Sequence, residues 1–474
     1  MKKPPPVNLP RDFLPEEMFF STTDLAGRIL SSNGVFTRIS GYPWAEMEGR
    51  PHNIIRHPDM PQAAFRLVWD YLKQGKSVAA YVKNMASDGR YYWVVALLTP
   101  LPESYLSVRF KPTSEIWAVV ETVYSDMRRM EQEAADRGDS ASAGMDLATE
   151  KMLSALQSLG FADYDAFMAA MLHAELKSRD ETIANHSRKL LPEWTATPET
   201  HRLQAIYMRC QDTYQRINCL YTELDQYEGL NREMNTNFLH VADCSSAFRL
   251  VALNAIIKAA QLGEQGLCSG VVAGYLCEIS LSISAISAEV TGQMQPVAAG
   301  LRSAIFHLTS AKLQMEMIML FCHEIATAGQ RSSVNSSNID DLQTAFVRTI
   351  QPAVEELTAT ASAMQGFGSH IEEFRKLTIA MQVGQISGAV ESCRLRDEGS
   401  MAQTFCDVRE KTEDTKQRLD GLVDVIAAFD RLSKDAPEII AQIKTSQELT
   451  RHDVEEFLAL LKAPTPAAGS ISES

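Results

Sequence analysis

Hydrophobic spacing changes character once in this chain, near Ile116, and that change calls for two kinds of architecture. Up to Trp117, short apolar runs are punctuated by Gly, Pro and Asn, the pattern of strands and short helices. From Met145 to about Leu461 nearly every residue falls in a helical pattern, with breaks expected at Pro192, Pro198, Pro296, Pro352 and Pro437. The fold class expected is an α+β domain followed by an all-α helical-bundle or coiled-coil region. With 45% hydrophobic and 22% charged residues over 474 positions, the chain has ample apolar material for packed cores.

Five segments follow. Residues 1–15 are expected to be a flexible Pro-rich arm and 16–117 the α+β domain. Residues 118–144 read as a charged helix running into a flexible linker, Arg137 to Gly144. Residues 145–462 are the helical region, and 463–474 a disordered tail. Within 16–117, Met18–Ser21 and Arg28–Ser31 read as strands joined by the turn Asp24-Leu25-Ala26-Gly27. Asn33 is placed as a helix N-cap, and Gly41-Tyr42-Pro43 ends that helix. Pro61–Lys73 is amphipathic, with Ala64, Phe65, Val68, Trp69 and Leu72 on one face. Three more strands are predicted at Val78–Lys83, Tyr91–Leu98 and Tyr105–Phe110, with Ser87-Asp88-Gly89 as a hairpin turn. The sum is a small one-sheet module of sensor type.

Net charge excludes some partners. A formal charge of -15 argues against nucleic acid, which needs a cationic face, and against a general affinity for anionic membranes. No run of about 18 apolar residues stands out, so no spanning helix is predicted. Prolines replace the apolar core that a secretory signal needs near the N-terminus, which places the protein in the cytoplasm. All eight cysteines lie at Cys210 or later with no CxxC pair, so free thiols are expected.

The densest chemistry is Arg56-His57-Pro58-Asp59-Met60, followed by Trp69 and then Lys83-Asn84. Two cationic or titratable groups, a carboxylate, an indole and an amide are the inventory for holding an aromatic cofactor between flat apolar walls. The stretches STTD at Ser21–Asp24, ISGYPWAEMEGRPHNIIRHPDMPQAAF at Ile39–Phe65, VKN at Val82–Asn84 and YYWV at Tyr91–Val94 strongly resemble the PAS sensor domain of bacterial aerotaxis receptors. In that family the domain binds FAD, and its redox state reports on respiration. The resemblance implies that Asn33, Arg56, His57, Asp59, Trp69, Asn84 and Tyr92 line or support a flavin pocket. Val78 stands where these sensors usually carry Trp. The lack of cysteine before Cys210 excludes a light-driven flavin–cysteine adduct here. His52 and His57 keep haem as the alternative cofactor.

A second resemblance lies in the helical region. Val251 to Gly266, with Val271-Val272-Ala273 after it, resembles the cytoplasmic tip of methyl-accepting chemotaxis receptors. It implies a helical hairpin turning at Gly263-Glu264-Gln265-Gly266, with Asn254, Lys258 and Gln261 on the approaching arm. Such a hairpin usually dimerises, so a homodimer is expected. The family's partners are a chemotaxis histidine kinase and its coupling protein. Lys258 and Gln261 stand where that family has Glu and Arg, and Leu267-Cys268-Ser269-Gly270 replaces Arg-Gly-Phe-Ala, so contact with both partners is doubtful.

No Gly-rich dinucleotide fingerprint, GxxxxGK[ST] or HExxH is present, and His323-Glu324 lacks the second His; a non-enzyme is expected. The expected function is a redox or oxygen sensor acting through the helical hairpin in aerotaxis or chemotaxis. The alternative is a PAS-containing adaptor acting on motility or biofilm without the chemotaxis kinase.

Overall fold

Strand propensity and turn chemistry put six strands into the first 110 residues: β1 (Val7–Pro10), β2 (Phe19–Asp24), β3 (Ile29–Ser32), β4 (Val78–Met85), β5 (Arg90–Pro100) and β6 (Ser104–Phe110). Between β3 and β4 lie α1 (Gly34–Ser40), α2 (Trp44–Met47), a 3-10 turn at His52–Ile55 and α3 (Gln62–Lys73). Among the described residues, eight long helices follow: α4 (Ile116–Asp136), α5 (Ala141–Ser158), α6 (Tyr164–His186), α7 (Pro198–Gln261), α8 (Leu267–Ala328), α9 (Asn338–Met364), α10 (Phe367–Arg394) and α11 (Ser400–Lys462). This computed structural model describes residues 3–186, 194, 197–328, 338–364, 367–394 and 400–462.

The sheet is antiparallel in the order β3-β2-β6-β5-β4, with β1 added in parallel to the start of β5. The hairpin at Gly89 (φ 85) joins β4 to β5 and sets a register of Asn84 opposite Tyr92 and Val82 opposite Val94. One face packs a core of Phe19, Phe36, Ile39, Ile55, Tyr92 and Val94. Each of these side chains contributes about 1.5–3 kcal/mol by leaving water.

The N-terminal arm differs from expectation. Val7–Pro10 pairs with β5, Phe13 is buried in the core, and Arg11 reaches Asp88 at 2.8 Å. Prolines suit an edge strand, so Pro content alone does not signal a loose arm. The expected linker also differs. Gly138 (φ 84) makes a tight turn, Ser140 caps the next helix through Ala143 N, and α5 starts at Ala141. Gly, Asp and Ser in sequence are the signature of a turn and an N-cap as much as of a linker.

Of the expected proline breaks, the one at Pro198 coincides with the start of a helix, and those at Pro296, Pro352 and Pro437 are absent. Pro198 begins α7, where a missing N–H costs nothing. Pro296, Pro352 and Pro437 lie inside α8, α9 and α11. Around Pro296 the neighbours Met294, Val297 and Leu301 are buried, and that packing offsets the roughly 3 kcal/mol an interior proline costs. Pro192 and the expected tail, 463–474, lie outside the described residues. Contrary to expectation, α8 is long and apolar enough to cross a membrane by length and composition, and 39% of its most apolar stretch is buried. Small Ser, Gly and Ala residues dilute the apolar run to the eye, yet few charges interrupt it.

The chain forms two units. The first comprises Met1–Tyr221, Ala304–Ala353 and Ile440–Ser474. In it, α6 and α8 cover the β-sheet. Arg179, fully buried, makes a two-pronged ion pair with Glu316 at 2.7 and 2.8 Å and donates to Pro15 O at 2.7 Å. Phe321 packs edge-on against Phe20, and Gln314 donates to Thr99 Oγ1. Glu175 on α6 accepts from Tyr81 Oη (2.6 Å), Ser114 Oγ (2.7 Å) and Thr113 N (2.7 Å). The free edge of β4 is closed by Tyr164 Oη on Ala79 O and Tyr124 Oη on Tyr81 O, which satisfies groups an edge strand otherwise leaves open.

The second unit comprises Thr222–Ser303 and Val354–Ile439. Here α7 and α8 form the expected hairpin, bonded through Ser245 and Ser280 and turning at Gly263–Gly266. Two further helices pack on it: Phe238 of α7 meets Phe374 of α10, Asn237 meets Arg418 of α11, and Leu276 of α8 fills the space over Gly384. One chain therefore supplies a four-helix arrangement by itself.

Candidate functional site

A cavity of about 270 Å³ opens between the sheet and α3. Period-two alternation selects its sheet side: Val82 and Asn84 from β4, Ala96 and Leu98 from β5, and Tyr105, Ser107 and Arg109 from β6. Amphipathic α3 supplies Phe65, Val68, Trp69 and Leu72. Trp69 lies edge-on to Tyr105 at 5.7 Å, and a Cβ on Gly27 (φ 78) would meet its ring at 3.0 Å, so glycine there makes room for the indole. The 3-10 turn and its flanks add His52, Asn53 and Arg56.

Electrostatics set this cavity apart. No carboxylate lines it, although the chain as a whole is acidic. Arg109 is buried, donates to Ser21 Oγ at 3.0 Å and to His52 Nε2 at 2.8 Å, and lies against the rings of Phe19 and Phe36. Among the described residues no carboxylate pairs with it. Burial brings the Arg109 guanidinium down to about 10. Burial first, and then Arg109, push His52 well below the ordinary imidazole value, so His52 is neutral and its Nε2 accepts. Two buried polar atoms on the cavity wall have no partner: Asn84 Nδ2 and Ser107 Oγ. A buried unpaired polar atom costs about 1–3 kcal/mol, which a ligand group can recover.

Of the seven residues expected at the pocket, Arg56, Trp69 and Asn84 line it. Arg56 lies over the Phe65 ring at 4.3 Å and donates to Met60 O. His57 does not line it. The Arg56–His57 segment is extended and pairs with Asn84 of β4, so consecutive side chains point to opposite sides. His57 Nδ1 accepts from Asp59 N, and Asp59 pairs with Lys83 at 3.0 Å, away from the cavity. Tyr92 sits behind Asn84 in the core, packed on Phe13 and Phe19, with its hydroxyl unpartnered. Asn33 caps α1 and accepts from Phe20 N as well, so it braces the sheet. Val78 shares the face of Val82 but lies outside the lining. The sequence reading missed Arg109 and Ser107. Their signal was a polar residue at alternate positions of an otherwise apolar last strand.

At the hairpin tip, Gly263 takes φ 59, and a Cβ on Gly266 would meet Ala259 O at 2.0 Å, so each glycine has its own reason. Asn254, Gln261, Glu264 and Gln265 are exposed, and Lys258 is half-buried.

Residues 29–109 match the PAS fold family. The N-terminal module is a PAS domain. Its span is 43% identical over 109 residues to the aerotaxis receptor of Escherichia coli K12, covering 22% of each protein. Over 324 residues the chain is 23% identical to the biofilm dispersion protein BdlA of Pseudomonas aeruginosa, covering 67% of this chain and 64% of that one. The chain thus spans under two thirds of the length of either relative. Among solved structures, the light-state Aureochrome1 LOV photoreceptor matches at 20% identity, covering 22% of this chain and 87% of that one, with a TM-score of 0.20.

Proposed function

We propose that the PAS cavity holds a flavin, FAD by family resemblance, and that the chain is a redox or oxygen sensor in aerotaxis or chemotaxis signalling. The observation that carries this reading is Arg109: a buried guanidinium without a carboxylate, in an apolar box, next to two unpartnered polar groups. Such a site is complementary to a flat ring that carries acceptors and negative charge. Trp69 and Phe65 supply flat walls, Asn84 Nδ2 and Ser107 Oγ meet the ring's polar edge, and Arg56 and Arg109 balance charge. A bound flavin supplies reversible electron uptake. A cavity of about 270 Å³ would have room for a ring system between Phe65, Trp69 and the sheet. The 43% identity to an aerotaxis receptor over this span supports the assignment.

The donor set fits haem poorly. His52 Nε2 is engaged by Arg109 and by Ser21 Oγ at 3.2 Å, and His57 faces away, so an axial bond at Nε2 would take the acceptor from Arg109 Nη2.

Strand β4 carries pocket residues Val82 and Asn84 on one face and Tyr81, held by Glu175 of α6, on the other. A change of hydrogen bonding at Asn84 is thereby three residues along one strand from the contact with α6. The output is protein contact without catalysis, in a cytoplasmic chain. A homodimer is supported by exposed Ile379, Val383, Ile386 and Val390, spaced as a heptad stripe on α10. Lys258 and Gln261 favour a second reading, an adaptor in motility or biofilm control that does not couple to the chemotaxis histidine kinase and coupling protein. Similarity to a biofilm dispersion protein over 67% of the chain supports that reading. The test is a visible spectrum of the purified protein, then a pull-down of kinase and coupling protein with oxidised and reduced samples. A flavin spectrum with redox-dependent capture supports the sensor of chemotaxis, a flavin spectrum without capture supports the adaptor, and a colourless protein that takes up no flavin refutes the pocket assignment.

A further inference from the structure

We propose that His240, Cys244 and Asp414 form a zinc site that fastens α7 to α11 in the second unit. His240 and Cys244 are four residues apart on α7, so both side chains share one helix face. Asp414 of α11 stands opposite. The ligand atoms of all three lie within 4.8 Å of one another. Asp414 Oδ2 is 2.5 Å from His240 Nε2, and Cys244 Sγ is 3.4 Å from the same nitrogen.

That shared nitrogen decides between two chemistries. A nucleophile relay uses both ring nitrogens, one facing the thiol and the other the carboxylate. Here thiol and carboxylate converge on Nε2 alone, and one nitrogen serves only one of them at a time. Three Lewis bases aimed at one point are what a cation resolves, each turning its lone pair toward the ion. Imidazole, thiolate and carboxylate together are a borderline-soft donor set that suits zinc and not calcium or magnesium. Three protein donors leave a fourth position for water. The histidine and aspartate side chains are 36% and 43% exposed, which gives the ion a way in, while Cys244 is buried behind them. Arg418 is the competing cation: its Nε is 3.3 Å from Asp414, and its Nη1 donates to Asn237 Oδ1 at 3.4 Å, a place for it to withdraw to.

The consequence is a metal-dependent clip across the bundle, independent of the PAS pocket. Cobalt(II) is the probe, added to the full-length chain with its own thiols reduced. One cobalt per chain is expected, with a thiolate charge-transfer band that zinc removes. Cys244→Ser should abolish the band, and His240→Ala and Asp414→Asn should weaken binding by about tenfold or more. Arg418→Ala should tighten it. Cys244→Ser, His240→Ala and Asp414→Asn should each melt like the wild type without metal and show a smaller metal-dependent rise in Tm, and Arg418→Ala a larger one, which separates lost binding from lost folding. A thiolate band that persists in Cys244→Ser places the metal on another cysteine and overturns the proposal. So does wild-type binding no tighter than that of a chain carrying His240→Ala, Cys244→Ser and Asp414→Asn together.

Discussion

Glu324 of α8 accepts hydrogen bonds from Asn33 Nδ2 at 3.1 Å and from Gly34 N at 2.6 Å, joining residues 291 and 290 positions apart. It sits on the first turn of α1, where an N–H lacks a helical partner. Burial raises its carboxyl above the ordinary glutamate range, and the two donors partly offset this. Glu324→Ala should destabilise the chain by about 1–3 kcal/mol in urea unfolding, with faster amide exchange at the start of α1. Unchanged stability would remove this contact as a tie between α8 and the PAS domain.

Glu175 is a second tie, on the face of β4 opposite the pocket. Its carboxylate accepts from buried Tyr81 and half-buried Thr113 and Ser114, and removal takes this acceptor from all three. Glu175→Ala should cost about 3 kcal/mol or more. If flavin binding survives, limited proteolysis of α6 should lose any dependence on redox state.

His52 gives a pH signature. Its folded value is depressed well below 6.5, so the unfolded chain takes up the proton first as acid is added. The stability it contributes is complete above pH 6.5 and is lost as pH falls through the folded value. His52→Gln should flatten the fall in urea midpoint between pH 7 and 5 relative to wild type, and an unchanged slope would contradict the neutral assignment.

The sensor domain was legible because its signals are local. Gly41, Gly89 and the alternation of β4 to β6 fix turns and faces from neighbours in sequence. Arg56 and Trp69 are expected at the cavity through the family resemblance, and for Trp69 the amphipathic face of α3 agrees. His57 lies outside the cavity lining because an extended segment sends neighbours to opposite sides, and only the pairing with β4 settles which. Arg109 went unnoticed because an arginine on a strand is ordinary until its burial without a carboxylate is known. Prolines 296, 352 and 437 misled because helix continuity there depends on packing from distant helices.

The stripe on α10 predicts association. Ile379, Val383, Ile386 and Val390 are 56–63% exposed and follow a four-three-four spacing. Val383→Asp with Ile386→Asp should shift the sedimentation coefficient from dimer to monomer without lowering helix content. A wild type that sediments as a monomer at all concentrations would contradict the dimer.

Arg109 carries the central claim, and flavin titration of wild type against Arg109→Met tests it most directly. Without ligand, the variant should be at least as stable as wild type, because a buried guanidinium lacking a carboxylate costs the empty protein. With FAD, its affinity should drop at least about tenfold, roughly 1.4 kcal/mol, and its stabilisation by FAD should shrink to match. Equal FAD affinity in the two proteins, or no FAD uptake by the wild type, would contradict the account.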